Sequence, residues 1–122
     1  MSNRVIHFEI PCDNPEKTIN FFKTVFDWTF KQFGTEEYWL AMTGDEKLPG
    51  IDGAIMKKRD PRHPLINSIQ LVNLDTTIKK IEQSGGKIVV PKMAIPTVGW
   101  AVYFTDPAGN IHEAYQNDPL AK

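Results

Sequence analysis

The stretch Ile95-Pro-Thr-Val-Gly-Trp-Ala-Val-Tyr-Phe-Thr-Asp-Pro-Ala-Gly-Asn-Ile-His-Glu-Ala-Tyr-Gln116 decides how this chain reads. Trp100 to Thr105 is rich in aromatic and β-branched residues, the composition of a strand. Asp106-Pro-Ala-Gly109 is turn chemistry, with Pro at the second turn position and Gly at the fourth. Asn110 to Gln116 then alternates. Ile111, Glu113 and Tyr115 share one face, and His112 and Ala114 share the other. A carboxylate between two apolar neighbours on one strand face requires a partner, because an unpaired buried carboxylate is costly. The rest of the sequence is read for what Glu113 faces.

The chain has 122 residues, enough for one domain with a core that needs no disulfide or metal staple. Its composition is 41% hydrophobic and 24% charged, ordinary for a water-soluble globular protein. A net charge of -1 with both signs interspersed is no footprint for nucleic acid or an anionic membrane. The single cysteine, Cys12, allows no intrachain disulfide and fits a reducing cytoplasm. The first residues contain no apolar signal region, and no apolar run is long enough to span a membrane.

Working outward to the N-terminus, Val5 to Ile10 alternates as a strand. His7 and Glu9 point one way, and Ile6, Phe8 and Ile10 the other. Asn14 is placed to cap a helix, with Pro15 at its first position and Glu16 at the positive end of its dipole. Ile19, Phe22 and Phe26 continue at helical spacing. Asp27–Phe33, Glu37–Thr43 and Ile51–Met56 read as strands, the first two joined by a turn at Gly34. Lys57 to Pro64 carries two prolines and five charged residues and reads as a linker, with His63 a solvated loop residue. Then the order begins again. Ile66–Leu71 is a strand, Asn73 precedes a helix from Leu74 to Ser84, Gly85-Gly86 closes it, and Lys87–Met93 opens the strands that lead into the first stretch.

This is an internal repeat of two βαβββ modules, matched by a shift of 59 that carries Asn14 onto Asn73 and Ile19 onto Ile78. Module one covers about 4–58, the linker 59–64 and module two about 65–117. The predicted fold class is α+β, with a mostly antiparallel sheet and helices on its outer side.

These features together resemble the vicinal oxygen chelate superfamily, which includes glyoxalase I, the extradiol dioxygenases and the bleomycin resistance proteins. The resemblance is carried by His7-Phe-Glu-Ile, Asp13-Asn-Pro-Glu-Lys-Thr-Ile-Asn-Phe-Phe22, Phe26-Asp-Trp28, Ser84-Gly-Gly86, Lys87-Ile-Val-Val-Pro91 and the run from Ile95 through Asn110. It covers essentially the whole chain and is closest to small glyoxalase-like proteins. It implies a cup-shaped sheet and, in the metal-dependent members, one divalent ion (Zn, Ni, Mn or Fe) held by four side chains. Two come from the first strand and two from the last strand of the two modules. Carried over by position, the metal ligands fall on His7 and Glu113, with Glu113 also the catalytic carboxylate. The other two positions fall on Ile66 and on Gly53 or Ala54, which cannot ligate.

The resemblance therefore implies either of two functions. One is a glyoxalase-related lyase, isomerase or dioxygenase, in which the ion polarises vicinal oxygens of a small molecule. The other is a metal-free protein that binds and sequesters a drug or metabolite, like the bleomycin resistance proteins. In the metal-free case His7 and Glu113 pair with each other, which would raise the histidine pKa. The resemblance also implies a homodimer. Candidate pocket residues are Glu9 beside His7, Ser68 and Gln70 on the face of Ile66, and Tyr115 on the face of Glu113. Trp28 and Trp100 either line the pocket or pack in the core, and His112, opposite Glu113, reads as a structural histidine on the helix side.

Overall fold

Both helices start where an asparagine can cap them. In the computed structural model, which describes residues 3–122, the side chain of Asn14 accepts a hydrogen bond from the backbone of Lys17. That of Asn73 accepts one from Thr76. Each cap satisfies a donor that the first turn leaves without a helical partner, worth about 1 kcal/mol. The helices are α1 (Pro15–Phe26) and α2 (Leu74–Gln83). Asp27 ends α1 in the left-handed conformation (φ 60°). Gly86 N–H reaches back to Ile81 O at 2.9 Å past the end of α2.

The strands are β1 (Arg4–Cys12), β2 (Thr29–Gln32), β3 (Tyr38–Met42), β4 (Gly53–Lys57), β5 (Ile66–Leu71), β6 (Lys87–Ile95), β7 (Gly99–Thr105) and β8 (Ile111–Asn117). The order is βαβββ twice, as the sequence predicts, and the class is α+β. The chain divides into two compact units, one of His7–Leu65 and one of Ile66–Lys122 with the stretch ending at Ile6. The first three residues of β1 thus go with the second unit.

In the first unit the strand order is β2-β3-β4-β1. β2 with β3 and β3 with β4 are antiparallel, and β4 with β1 is parallel. In the second unit the order is β5-β8-β7-β6, again with one parallel pair, β5 with β8. The duplication extends to register. Glu9 pairs with Ala54 and Cys12 with Lys57 in the first unit, while Ser68 pairs with Glu113 and Leu71 with Gln116 in the second. Each residue of the first set lies 59 positions before its counterpart.

Each sheet buries the face toward its helix. In the second unit Leu71, Leu74, Val102 and Ala114 form the centre of the core, with Ile78, Ile88, Trp100 and Phe104 packed against them. In the first unit aromatic rings fill the same role. Trp28 stacks flat on Phe22 of α1 (centroids 4.5 Å apart, 9° between planes) and lies 5.8 Å from Phe8 and 6.4 Å from Phe30. Gly53 on β4 makes room for this. A Cβ there would stand 2.5 Å from the Phe8 ring.

The linker is more ordered than its composition suggests. Asp60 accepts from Arg62 N through its side chain and from His63 N through its carbonyl, which closes a turn. His63 is half-buried rather than solvated, and its Nδ1 accepts from Arg59 N at 3.4 Å. Among the described residues, no helix is long and apolar enough to cross a membrane.

Candidate functional site

The faces turned away from the helices carry the buried polar residues. On the first unit, alternation along β1 puts His7 and Glu9 on that face, and Glu9 is only 4% exposed. Tyr38, from β3, joins them. Its hydroxyl donates to Glu9 Oε2 at 2.8 Å and contacts His7 Nε2 at 2.7 Å. The His7 and Tyr38 rings are nearly parallel, 17° apart. Burial pulls the His7 pKa below its ordinary value, and the charges of Glu9 and Asp52 only partly oppose it. This departs from the rise expected of a His–Glu pair. The hydrogen-bond partner of the ring is the Tyr38 hydroxyl, and burial outweighs the carboxylates. His63 lies within the electrostatic reach of Glu9, and burial pulls its pKa down as well.

On the second unit Ser68 donates to a Glu113 carboxylate oxygen, and both residues are buried. Tyr103 on β7 stands directly opposite Glu113 in the register and is also buried. Gln70 pairs with Tyr115 on the same face. Tyr115 donates to Val98 O at 3.0 Å, and its pKa is raised by burial and by the Glu113 charge. Gly99 is tied to this arrangement, because a Cβ there would meet Gln116 O and the Tyr115 ring.

Six of the expected pocket and ligand residues therefore gather in two places: His7 with Glu9, and Ser68, Gln70, Glu113 and Tyr115 along one face. Trp28 and Trp100 do not. Trp28 is stacked on α1. Trp100 packs against the Leu71–Val102 core, donates through Nε1 to Asp118 at 2.9 Å, and carries the Lys92 ammonium 4.9 Å from its ring centre. Both indoles face the helices because that is where each module has apolar surface to cover. His112 sits on the helix side too, stacked on Phe104 and bonded through Nε2 to Asp106 at 2.9 Å. Tyr38 and Tyr103 are the residues that sequence reasoning missed. Counting back from the Asp106–Gly109 turn would have placed Tyr103 opposite Glu113. Tyr38 carries no comparable signal, since its partner strand lies thirty residues away.

The donor set does not fit a divalent ion. Ala54 lies beside Glu9, and Ile66 lies two residues before Ser68, at the two positions where the resemblance asks for ligands. Each unit then supplies one of the expected donors, His7 or Glu113, and each already has a hydrogen-bond partner. Among the described residues, no group of three or more His, Cys, Asp or Glu is placed to hold a metal. A groove of about 500 Å³ in the first unit is lined by Asn14, Ile19, Asn20, Phe30 and Trp39. Glu16, Lys23 and Glu37 also line it, but it excludes His7, Glu9 and Tyr38, so the buried polar chain is the better marker of a site.

Comparison with known proteins agrees with this fold. The model of the Glyoxalase/Bleomycin resistance protein/Dioxygenase superfamily matches residues 4–114. The chain belongs to that superfamily. Similar solved structures include a superfamily member from Vibrio splendidus 12B01 (14% identity, TM-score 0.68, covering 93% of this chain and 98% of that one). Methylmalonyl-CoA epimerase from Mycobacterium tuberculosis is similar at 12% identity and TM-score 0.66, over 97% and 90% of the two chains. A structure described as NAD-dependent benzaldehyde dehydrogenase from Legionella pneumophila matches at 15% identity and TM-score 0.66, over 92% and 98%. At these identities the likeness is one of fold. No curated protein matches the sequence.

Proposed function

We propose that this chain is a metal-independent member of its superfamily that binds a small organic molecule. The helix-free face of each module is the binding face. The observation that carries this reading is the donor set: Ala54 and Ile66 stand where ligands are needed, and His7 and Glu113 are each engaged by a neighbouring hydroxyl. On the first module the contacts come from Glu9 and His7, on the second from Ser68, Gln70, Glu113 and Tyr115. Buried polar groups set against apolar strands suit recognition of a compact molecule that is partly apolar.

The second reading is a metal-dependent lyase, isomerase or dioxygenase with Glu113 as its catalytic carboxylate. It is supported by the residue types at His7 and Glu113, both of which a divalent ion accepts. Mass-spectrometric metal analysis of untagged protein purified without chelators separates the two. The binding reading expects no stoichiometric metal, and none taken up from Zn, Ni, Mn or Fe(II). Near-stoichiometric metal that disappears in His7→Ala would overturn it. Assembly as a homodimer belongs to the same proposal and is read by light scattering.

A further inference from the structure

His7, Glu9 and Tyr38 form one hydrogen-bonded chain, and the protons in that chain determine what His7 can offer a ligand. The Tyr38 hydroxyl donates to Glu9 Oε2 at 2.8 Å, which uses its single phenolic proton. The phenolic oxygen is then an acceptor for His7, and the 2.7 Å contact requires the proton on Nε2. A neutral imidazole has one N–H, which leaves its lone pair on Nδ1. A metal binds through a lone pair, so Nε2 is closed to an ion while the chain holds.

We propose that the Glu9–Tyr38–His7 chain takes the place of a metal ligand on this module: it holds His7 as the Nε2–H tautomer, so that Nδ1 accepts a hydrogen bond from an O–H or N–H group of a bound small molecule. This rests on the metal-independent reading. Tyr38 and Glu9 are positioning residues for His7. The charges of Glu9 and Asp52 both act on the ring, which favours a neutral or cationic donor over an anion.

The test is long-range ¹H–¹⁵N NMR of the imidazoles, with His7 assigned through His7→Ala. The expected spectrum shows a pyrrole-type Nε2 and a pyridine-type Nδ1, unmoved by zinc or nickel chloride. In Tyr38→Phe both nitrogens should shift toward the tautomer average, while Glu9→Gln, whose amide oxygen still accepts from Tyr38, keeps the wild-type pattern. Phenols and alkyl amines found to bind should shift Nδ1. A pyridine-type Nε2 in the wild type, a metal-induced shift of Nε2, or binders that leave Nδ1 unmoved overturn the assignment. The wild-type spectrum decides the tautomer even if a variant fails to fold. Stoichiometric metal with the Nε2–H of His7 intact would sink the metal-independent reading and leave the tautomer assignment standing. A pyridine-type Nε2 in metal-free protein would do the reverse.

Discussion

Replacing Gly53 with alanine tests how the first module accommodates its aromatic core. The added methyl would lie 2.5 Å from the Cδ1 and Cε1 atoms of Phe8, where ordinary carbon contacts are about 3.5–4.0 Å. The Phe8 ring must therefore move by roughly 1 Å to restore normal contact. It has little room, because it lies 5.8 Å from Trp28, which is itself stacked on Phe22. Overpacking of this kind costs about 1–3 kcal/mol. For a chain of this length that lowers the midpoint of thermal unfolding by roughly 5–15 °C. Circular dichroism in the far ultraviolet reads the midpoint, and the near-ultraviolet signal reads the Trp28 environment. Shortening the ring in Phe8→Leu should recover part of the loss in the double variant, as coupling between touching residues requires. An unchanged midpoint in Gly53→Ala, or strict additivity of the two substitutions, would refute the packing argument.

Ser68→Ala removes a donor from the buried Glu113 carboxylate. Urea unfolding at neutral pH should show a loss of about 1.5–3 kcal/mol, since hydrogen bonds to charged groups are worth that much; a loss below 0.5 kcal/mol contradicts the assignment. Asp106 has its carboxyl pKa held well below the usual range, first by His112 and then by Asn110. A depressed carboxyl pKa gives stability that is present above the unfolded value, about 3.9, and is lost as pH falls toward the folded one. Asp106→Asn should accordingly flatten the acid limb of the melting temperature below pH 4, and an acid limb identical to wild type would count against it.

Much of this architecture was legible in the chain because its signals are local. The caps at Asn14 and Asn73, the Asp106–Gly109 turn and the alternation of β1 and β8 depend on near neighbours. They gave the repeated βαβββ order and put His7 with Glu9, and Glu113 opposite His112. Face assignment is robust because a strand alternates with a period of two. The 59-residue repeat was visible only as a few matches, and the strand register made it specific.

What the sequence could not decide is which side chains meet. Alternation says that Trp28 and Trp100 share a face with their neighbours, not whether that face meets a helix or a ligand. Only the docking of α1 and α2 turned both indoles inward. The partner of His7 comes from β3, far along the chain, and the partner of Glu113 lies on β5. Whether His7 is protonated likewise depends on burial, which no local pattern reports. Residue type and spacing determined the elements and the candidate donors. Long-range strand pairing, whose energetics lie in contacts between distant segments, determined which of those donors are already engaged.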